Sequence, residues 1–181
     1  MERFEKSSII ISLIRRLESQ GSWCGETHIQ KAIFFLQEIS GFQVKFNYLL
    51  YYYGPFSFEL REKLNEMRAE ESLQLIPNPP PYGPSYVIGP LGKRFENIFR
   101  ELSKPYEKII DFIAKEVIDQ KNVHELESLS TALYFINKYT DLTIEEIAEK
   151  IHKLKPHISQ NEAIESIKKV KEIKTKAKSI N

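Results

Sequence analysis

The groups able to do chemistry in this chain are few: one cysteine, four histidines and a scatter of carboxylates. In Trp23-Cys24-Gly25-Glu26-Thr27-His28, Cys24 and His28 stand four residues apart, a spacing that could share one helix face and bind a metal. A lone cysteine rules out an internal disulfide and any multi-cysteine zinc site. Gly25 is placed to interrupt the helix, so a half-buried thiol beside Trp23 is the expectation. His152 and His157 flank Lys153-Leu154-Lys155-Pro156, and the proline break between them argues against a shared metal and for surface or helix-end histidines. No Gly-x-Ser-x-Gly, Walker-type loop or Gly-x-Gly-x-x-Gly is present, and no cysteine-hydrolase motif surrounds Cys24. The adjacent carboxylates Glu70-Glu71 and Glu145-Glu146 fall near helix ends, where capping or solvation explains them. The sequence therefore predicts no catalytic residue, no metal, no cofactor and no enzyme.

The chain has 181 residues, a formal net charge of +1, 41% hydrophobic and 28% charged residues. That suffices for one large domain or two small ones with a real core. Near-neutral charge argues against strong non-specific nucleic-acid binding, whose affinity comes from phosphate neutralisation. No apolar run approaches the length of a membrane span, and Met1–Ser12 lacks a cleavable signal pattern, so a cytoplasmic protein without membrane contact is expected. The lysine-rich tail, Lys168 to Lys178, reads as a solvated, fraying helix end, with a weak contact to an acidic partner as the alternative.

Helical spacing appears at Ile10, Leu13, Ile14 and Leu17, stopped by Gly21, and again from a Thr27 cap through Ile29, Ile33 and Leu36 to Ser40-Gly41. Phe46-Asn47-Tyr48-Leu49-Leu50-Tyr51-Tyr52-Tyr53 alternates as one short strand, apolar on both faces, that either is covered on both sides or leans into an interface. Gly54-Pro55 is expected to stop it. Ser57 caps a third helix with Leu60, Leu64 and Met67 inward. Leu73–Ile76 and Ser85–Ile88 are predicted strands around a stiff loop, Pro77-Asn78-Pro79-Pro80-Pro81-Tyr82-Gly83-Pro84. A helix from Pro90 is expected to bury Leu91, Phe95, Ile98, Phe99 and Leu102.

Beyond Lys104 every segment reads as helix. Asn122 with Glu125, Thr143 with Glu146, and Ser159 with Glu162 have capping-box spacing, and Leu142 with Ile147 forms a hydrophobic staple. The fold class is thus mainly α with a small β-sheet. Residues 1–103 have the element order of a winged helix, and residues 104–181 form a helical region packed on it. In that arrangement Phe46–Tyr53 joins the wing hairpin, and its aromatics wedge between the two parts. The other possibility is that they form a surface that stacks a base or grips a peptide.

The segment Thr27–Leu60, with Lys31-Ala32-Ile33-Phe34-Phe35-Leu36 and Tyr53-Gly54-Pro55-Phe56-Ser57, resembles the YwgA-like and SocA-like (Panacea) families of small microbial proteins. Leu142–Ser159, with Leu154-Lys155-Pro156-His157-Ile158-Ser159, echoes YwgA-type proteins as well. The resemblance implies a winged-helix-like fold and, on the Panacea side, roles as antitoxins or proteolytic adaptors.

A 100° helical wheel places Glu59, Glu62 and Glu66 outward on the third helix, Arg61 and Arg68 on one shoulder and Lys63 on the other. Three carboxylates suit a basic protein better than a row of phosphates. The expectation is a non-catalytic regulatory or adaptor module that binds a protein partner through Glu59, Glu62, Glu66 and the wing residue Tyr82. The alternative is a DNA-binding regulator using Arg61, Arg68, Lys93 and Arg94. The density of aromatics also admits a homodimer.

Overall fold

In the computed structural model, residues 2–40, 45–80, 82–119 and 122–180 are described. The stop predicted at Gly41 and the loop proline Pro81 lie outside them. The elements are α1 (Glu2–Ser19), α2 (Glu26–Ser40), β1 (Leu49–Tyr51), β2 (Gly54–Phe56), α3 (Phe58–Ala69), β3 (Leu73–Ile76), β4 (Ser85–Ile88) and α4 (Pro90–Ser103). After a 3-10 turn come α5 (Glu107–Phe112), a π-helical stretch over Ile113–Ile118, α6 (Val123–Lys138), α7 (Ile144–Leu154) and α8 (Gln160–Ala177). The chain is mainly α with two small antiparallel β-hairpins. No described helix is long and apolar enough to cross a membrane.

Helix α2 is the centre. Eight consecutive residues from Ile29 to Leu36 are buried, so it is covered nearly all round, as a helix with apolar residues on every face must be. Helices α5 and α6 and the π-helical stretch pack on it, with α1 alongside. One apolar cluster contains Ile10 and Ile33 from before residue 103 and Ile113, Leu133 and Ile167 from after it. The predicted caps form: Ser57 accepts from the Leu60 N–H, and Asn122 and Thr143 make complete boxes with Glu125 and Glu146. Ser159 accepts from the Glu162 N–H. The tail is docked rather than frayed, because Val170, Ile173 and Ala177 are buried and Lys176 meets Glu116 at 2.7 Å.

Strands β3 and β4 pair as expected, from Leu73 opposite Ile88 to Ile76 opposite Ser85. Their third neighbour is not the aromatic segment. The extended link between α1 and α2 runs beside β4, with Gly25 bridging Ser85 and the Tyr86 N–H donating to the Cys24 carbonyl at 2.8 Å.

The aromatic segment forms its own hairpin instead. Leu49 pairs with Phe56, Leu50 with Pro55 and Tyr51 with Gly54, leaving Tyr52-Tyr53 as the turn. Gly54 does not stop the strand but reverses the chain: its φ of +83° lies in the region that an L side chain enters only with strain. Pro55 is tolerated because a two-stranded hairpin consists of edges. The expected wedge is only partly realised. Phe46 is buried and Tyr48 half-buried, but Tyr51, Tyr52 and Tyr53 are exposed.

Helix α4 also departs from its predicted face. Leu91 and Ile98 are exposed, while Phe95, Phe99 and Leu102 are only half-buried. The helix bends at Phe99, whose carbonyl accepts from the Ser8 hydroxyl at 3.0 Å. Phe95 and Phe99 stack on each other and on Phe4 at the rim, with ring centroids 4.4 Å and 4.9 Å apart.

The hairpin turn gives a direct test. A Cβ on Gly54 would come within 3.0 Å of the Ser130 and Thr131 hydroxyls, at a positive φ. Gly54→Ala should cost about 1–3 kcal/mol in urea unfolding. Gly83→Ala, at an open position, should stay within about 0.5 kcal/mol.

Candidate interaction surface

A buried polar centre holds the aromatic hairpin in place. Lys31, 1% exposed on α2, donates to the Pro55 carbonyl at 2.7 Å. Lys155, in the link after α7, donates to the carbonyls of Tyr51, at 2.7 Å, and Tyr52. It also meets the Glu127 carboxylate on α6 at 2.9 Å, both side chains being buried. His157 Nε2 lies 3.1 Å from the same Glu127 oxygen. Beside them, Gln30 accepts from the Ser57 N–H at 3.0 Å and donates to its carbonyl at 2.9 Å. Two buried lysines, one of them paired with a buried carboxylate, thus take up the inward carbonyls of a hairpin too short to hold itself.

The consequence is geometric. With the backbone polar groups turned inward, the side chains of the turn point to solvent. Tyr52 and Tyr53 are 74% and 61% exposed, Phe58 46%. Tyr51 packs on Phe56 and Phe58, each 5.7 Å away centroid to centroid. Phe58 then continues onto α3 as the wall of a shallow surface with Lys6, Phe46, Glu59, Glu62 and Glu66. An apolar, aromatic patch therefore runs into an acidic helix face.

Helix α3 is oriented as its spacing predicts, with Leu60, Leu64 and Met67 buried. Its carboxylates are not equally free. Glu59 accepts from the Asn47 backbone and side-chain amides, which hold it below the usual carboxylate range. Glu66 is bonded by Lys63, at 3.2 Å, and by Arg3. Glu62 is exposed and makes no ion pair among the described residues.

Tyr82 does not join these carboxylates. It stands across α3, against Trp23 with ring centroids 4.6 Å apart. Both line a cleft of about 800 Å³ together with His28, Arg61, Arg68 and Tyr86. Arg61 is committed within the fold: its guanidinium bonds Glu26 at 2.8 Å and lies 4.5 Å over the Phe56 ring. Arg68 is exposed at the cleft, while Lys93 and Arg94, exposed on the first turn of α4, are not among its walls. The protein-binding set and the DNA-binding set are thus each divided between faces.

Burial pushes the Cys24 thiol up to about 12, away from the thiolate that a nucleophile or metal ligand requires. His152 is taken by the Ile158 carbonyl at 2.8 Å. His157 faces His124 on α6 rather than His152. Lys31 figures in the sequence only through the family resemblance, and nothing there singles out Glu127 or His124. Lys31 had a signal, since a cation inside an otherwise apolar, fully covered helix must find a buried acceptor. Glu127 and His124 had none beyond an i,i+3 spacing.

Burial pulls the Lys31 ammonium down to about 7 from an ordinary 10.5. Above pH 7 the unfolded chain holds more protons at this site than the folded one, so stability rises with pH. The rise levels off near pH 9, where the Cys24 thiol ionises in the unfolded chain alone and offsets the Lys31 effect. Unfolding free energy should rise by about 1–3 kcal/mol from pH 7 to 9. Lys31→Met should flatten that slope, as followed by chemical denaturation at each pH.

The sequence matches no protein-family model and no curated protein with which it was compared, so its functional reading stands on this geometry.

Proposed function

We propose that the protein is a non-catalytic regulatory or adaptor module that binds a protein partner through the aromatic hairpin and the acidic face of α3. One observation carries this: Tyr51, Tyr52, Tyr53 and Phe58 stay exposed, and the rings of Tyr52, Tyr51 and Phe58 pack in series up to the surface that Phe58 shares with Glu59 and Glu62. Exposed aromatics of this density are costly to leave in water and are the residue types that anchor protein interfaces. Glu62 adds a negative charge with no ion-pair partner among the described residues, so a segment with apolar anchors flanked by lysine or arginine fits best. A hairpin fixed by buried ammonium groups loses little conformational freedom on binding, which favours affinity.

The N-terminal half is read as a winged-helix-like unit. Its support is the order α1, extended link, α2, α3, β3, β4, with the link running beside β4 and the β1–β2 hairpin inserted between α2 and α3. The resemblance to the YwgA-like and SocA-like families agrees with an antitoxin-like or adaptor role. In this architecture α3 would be the groove reader, and Arg68 with Tyr82 on the wing supports a DNA-binding alternative. Against it, α3 presents Glu62 outward, and Arg61 is already paired with Glu26.

The two readings separate in one set of experiments. The wild-type protein should retain a partner from its native cell extract, and Glu62→Lys or Tyr52→Ser should release that same partner. Lys93→Glu with Arg94→Glu should leave it bound. Mixed duplex DNA should not bind at low salt. Tight, steeply salt-dependent DNA binding that Arg68→Glu abolishes would replace the protein-partner reading with the alternative.

A further inference from the structure

At the edge of the buried centre, His124, Glu127 and His157 converge, and one ligand atom from each lies within 4.8 Å of the others. We propose that these three residues form a binding site for a divalent first-row transition metal of the zinc class. The geometry comes from two places in the chain. His124 and Glu127, three apart in the first turns of α6, project from one face of that helix. His157 is brought over them by the link between α7 and α8, which Pro156 turns and Lys155 fastens.

The donor set is two imidazoles and a carboxylate, the mixture that zinc, cobalt and nickel accept and that magnesium and calcium do not. Two atoms bound to one tetrahedral ion at about 2.1 Å stand about 3.4 Å apart. His157 Nε2 and the Glu127 oxygen are already 3.1 Å apart. The His124 and His157 rings lie 6.1 Å apart, centroid to centroid, and both side chains are about half exposed, so small ring rotations close the remaining gap. Glu127 is the fixed point, only 4% exposed in its side chain. Glu162 supplies a fourth donor, an oxygen 2.8 Å from His124 Nε2. When the ion takes that nitrogen, any proton shared with Glu162 is released, and the freed carboxylate is at hand to complete the shell.

Two charges work against the ion. Lys155 Nζ is 2.9 Å from the same Glu127 oxygen, and the N-terminus of α6 carries the positive end of its dipole. Lys155 also donates to the Tyr51 and Tyr52 carbonyls, and a carboxylate offers about four lone-pair directions, so the ion and Lys155 can share Glu127. The two carboxylates offset the charge of a divalent ion, and Lys155 remains as an extra cation. The site is therefore weaker than a tight structural zinc site.

Chelator-treated, untagged protein titrated with Zn2+ in a calorimeter should bind one saturable equivalent. Co2+ should give the visible bands of a nitrogen and oxygen shell without thiolate charge transfer. His124→Ala and His157→Ala should each weaken binding about tenfold or more, while His152→Ala and Cys24→Ser leave it unchanged. In the unmodified protein, Zn2+ should shift the imidazole NMR signals of His124 and His157 and leave those of His28 and His152, which does not depend on how any variant folds. Absence of saturable binding, binding that survives the double variant His124→Ala/His157→Ala, or shifts confined to His28 and His152 would overturn the proposal.

Discussion

Two buried ammonium groups and one buried carboxylate govern the functional half of this molecule. Lys31, Lys155 and Glu127 come from α2, from the link after α7 and from α6, and all three close on the same short hairpin. Taking such charges out of water is expensive, and each persists only because a partner or a carbonyl receives it. Removing one member of a buried pair typically costs about 3–5 kcal/mol, because the other is left uncompensated. The Lys155 bond to Tyr51 spans 104 residues, so the hairpin is an element of tertiary rather than local origin. A three-residue-by-three-residue hairpin has little stability of its own.

That constraint explains how a strongly aromatic segment ends up facing water. The carbonyls of Tyr51, Tyr52 and Pro55 are the acceptors the buried cations need, so the backbone is held against α2 and α6 and the rings are turned out. Gly54 makes the turn possible, and the Ser130 and Thr131 hydroxyls crowd it closely enough to favour a residue without a side chain. The same centre fixes His157 through Glu127, which brings the two histidines at the edge of α6 together. One polar cluster therefore sets both the aromatic surface and the histidine cluster.

Helix α3 divides the remaining charge. Its inward stripe is fixed by Leu60, Leu64 and Met67, and this forces Glu62 outward and Arg61 and Arg68 toward the cleft. Arg61 is then consumed in joining α3 to the start of α2 through Glu26 and in covering Phe56. Residues that share one helix thus serve different surfaces, and several of its charged groups are structural: Arg61, Glu59 and Glu66 all hold neighbouring segments.

The sequence by itself determined the local features. Helix boundaries at Ser57, Asn122, Thr143 and Ser159, the inward stripe of α3 and the β3–β4 hairpin all follow from caps, periodicity and turn residues within a few positions of one another. The resemblance to small microbial families rested on the same Lys31 and Gly54-Pro55 that prove to meet in space. Only the tertiary structure decided that Lys31 and Lys155 are buried, that Phe46–Tyr53 is half of a separate hairpin, that α4 leaves Leu91 and Ile98 exposed, and that Tyr82 lies away from the carboxylates of α3. Each of those outcomes depends on contacts between residues tens of positions apart, where the balance between desolvating a charge and finding its partner is set by the whole fold rather than by neighbouring residues.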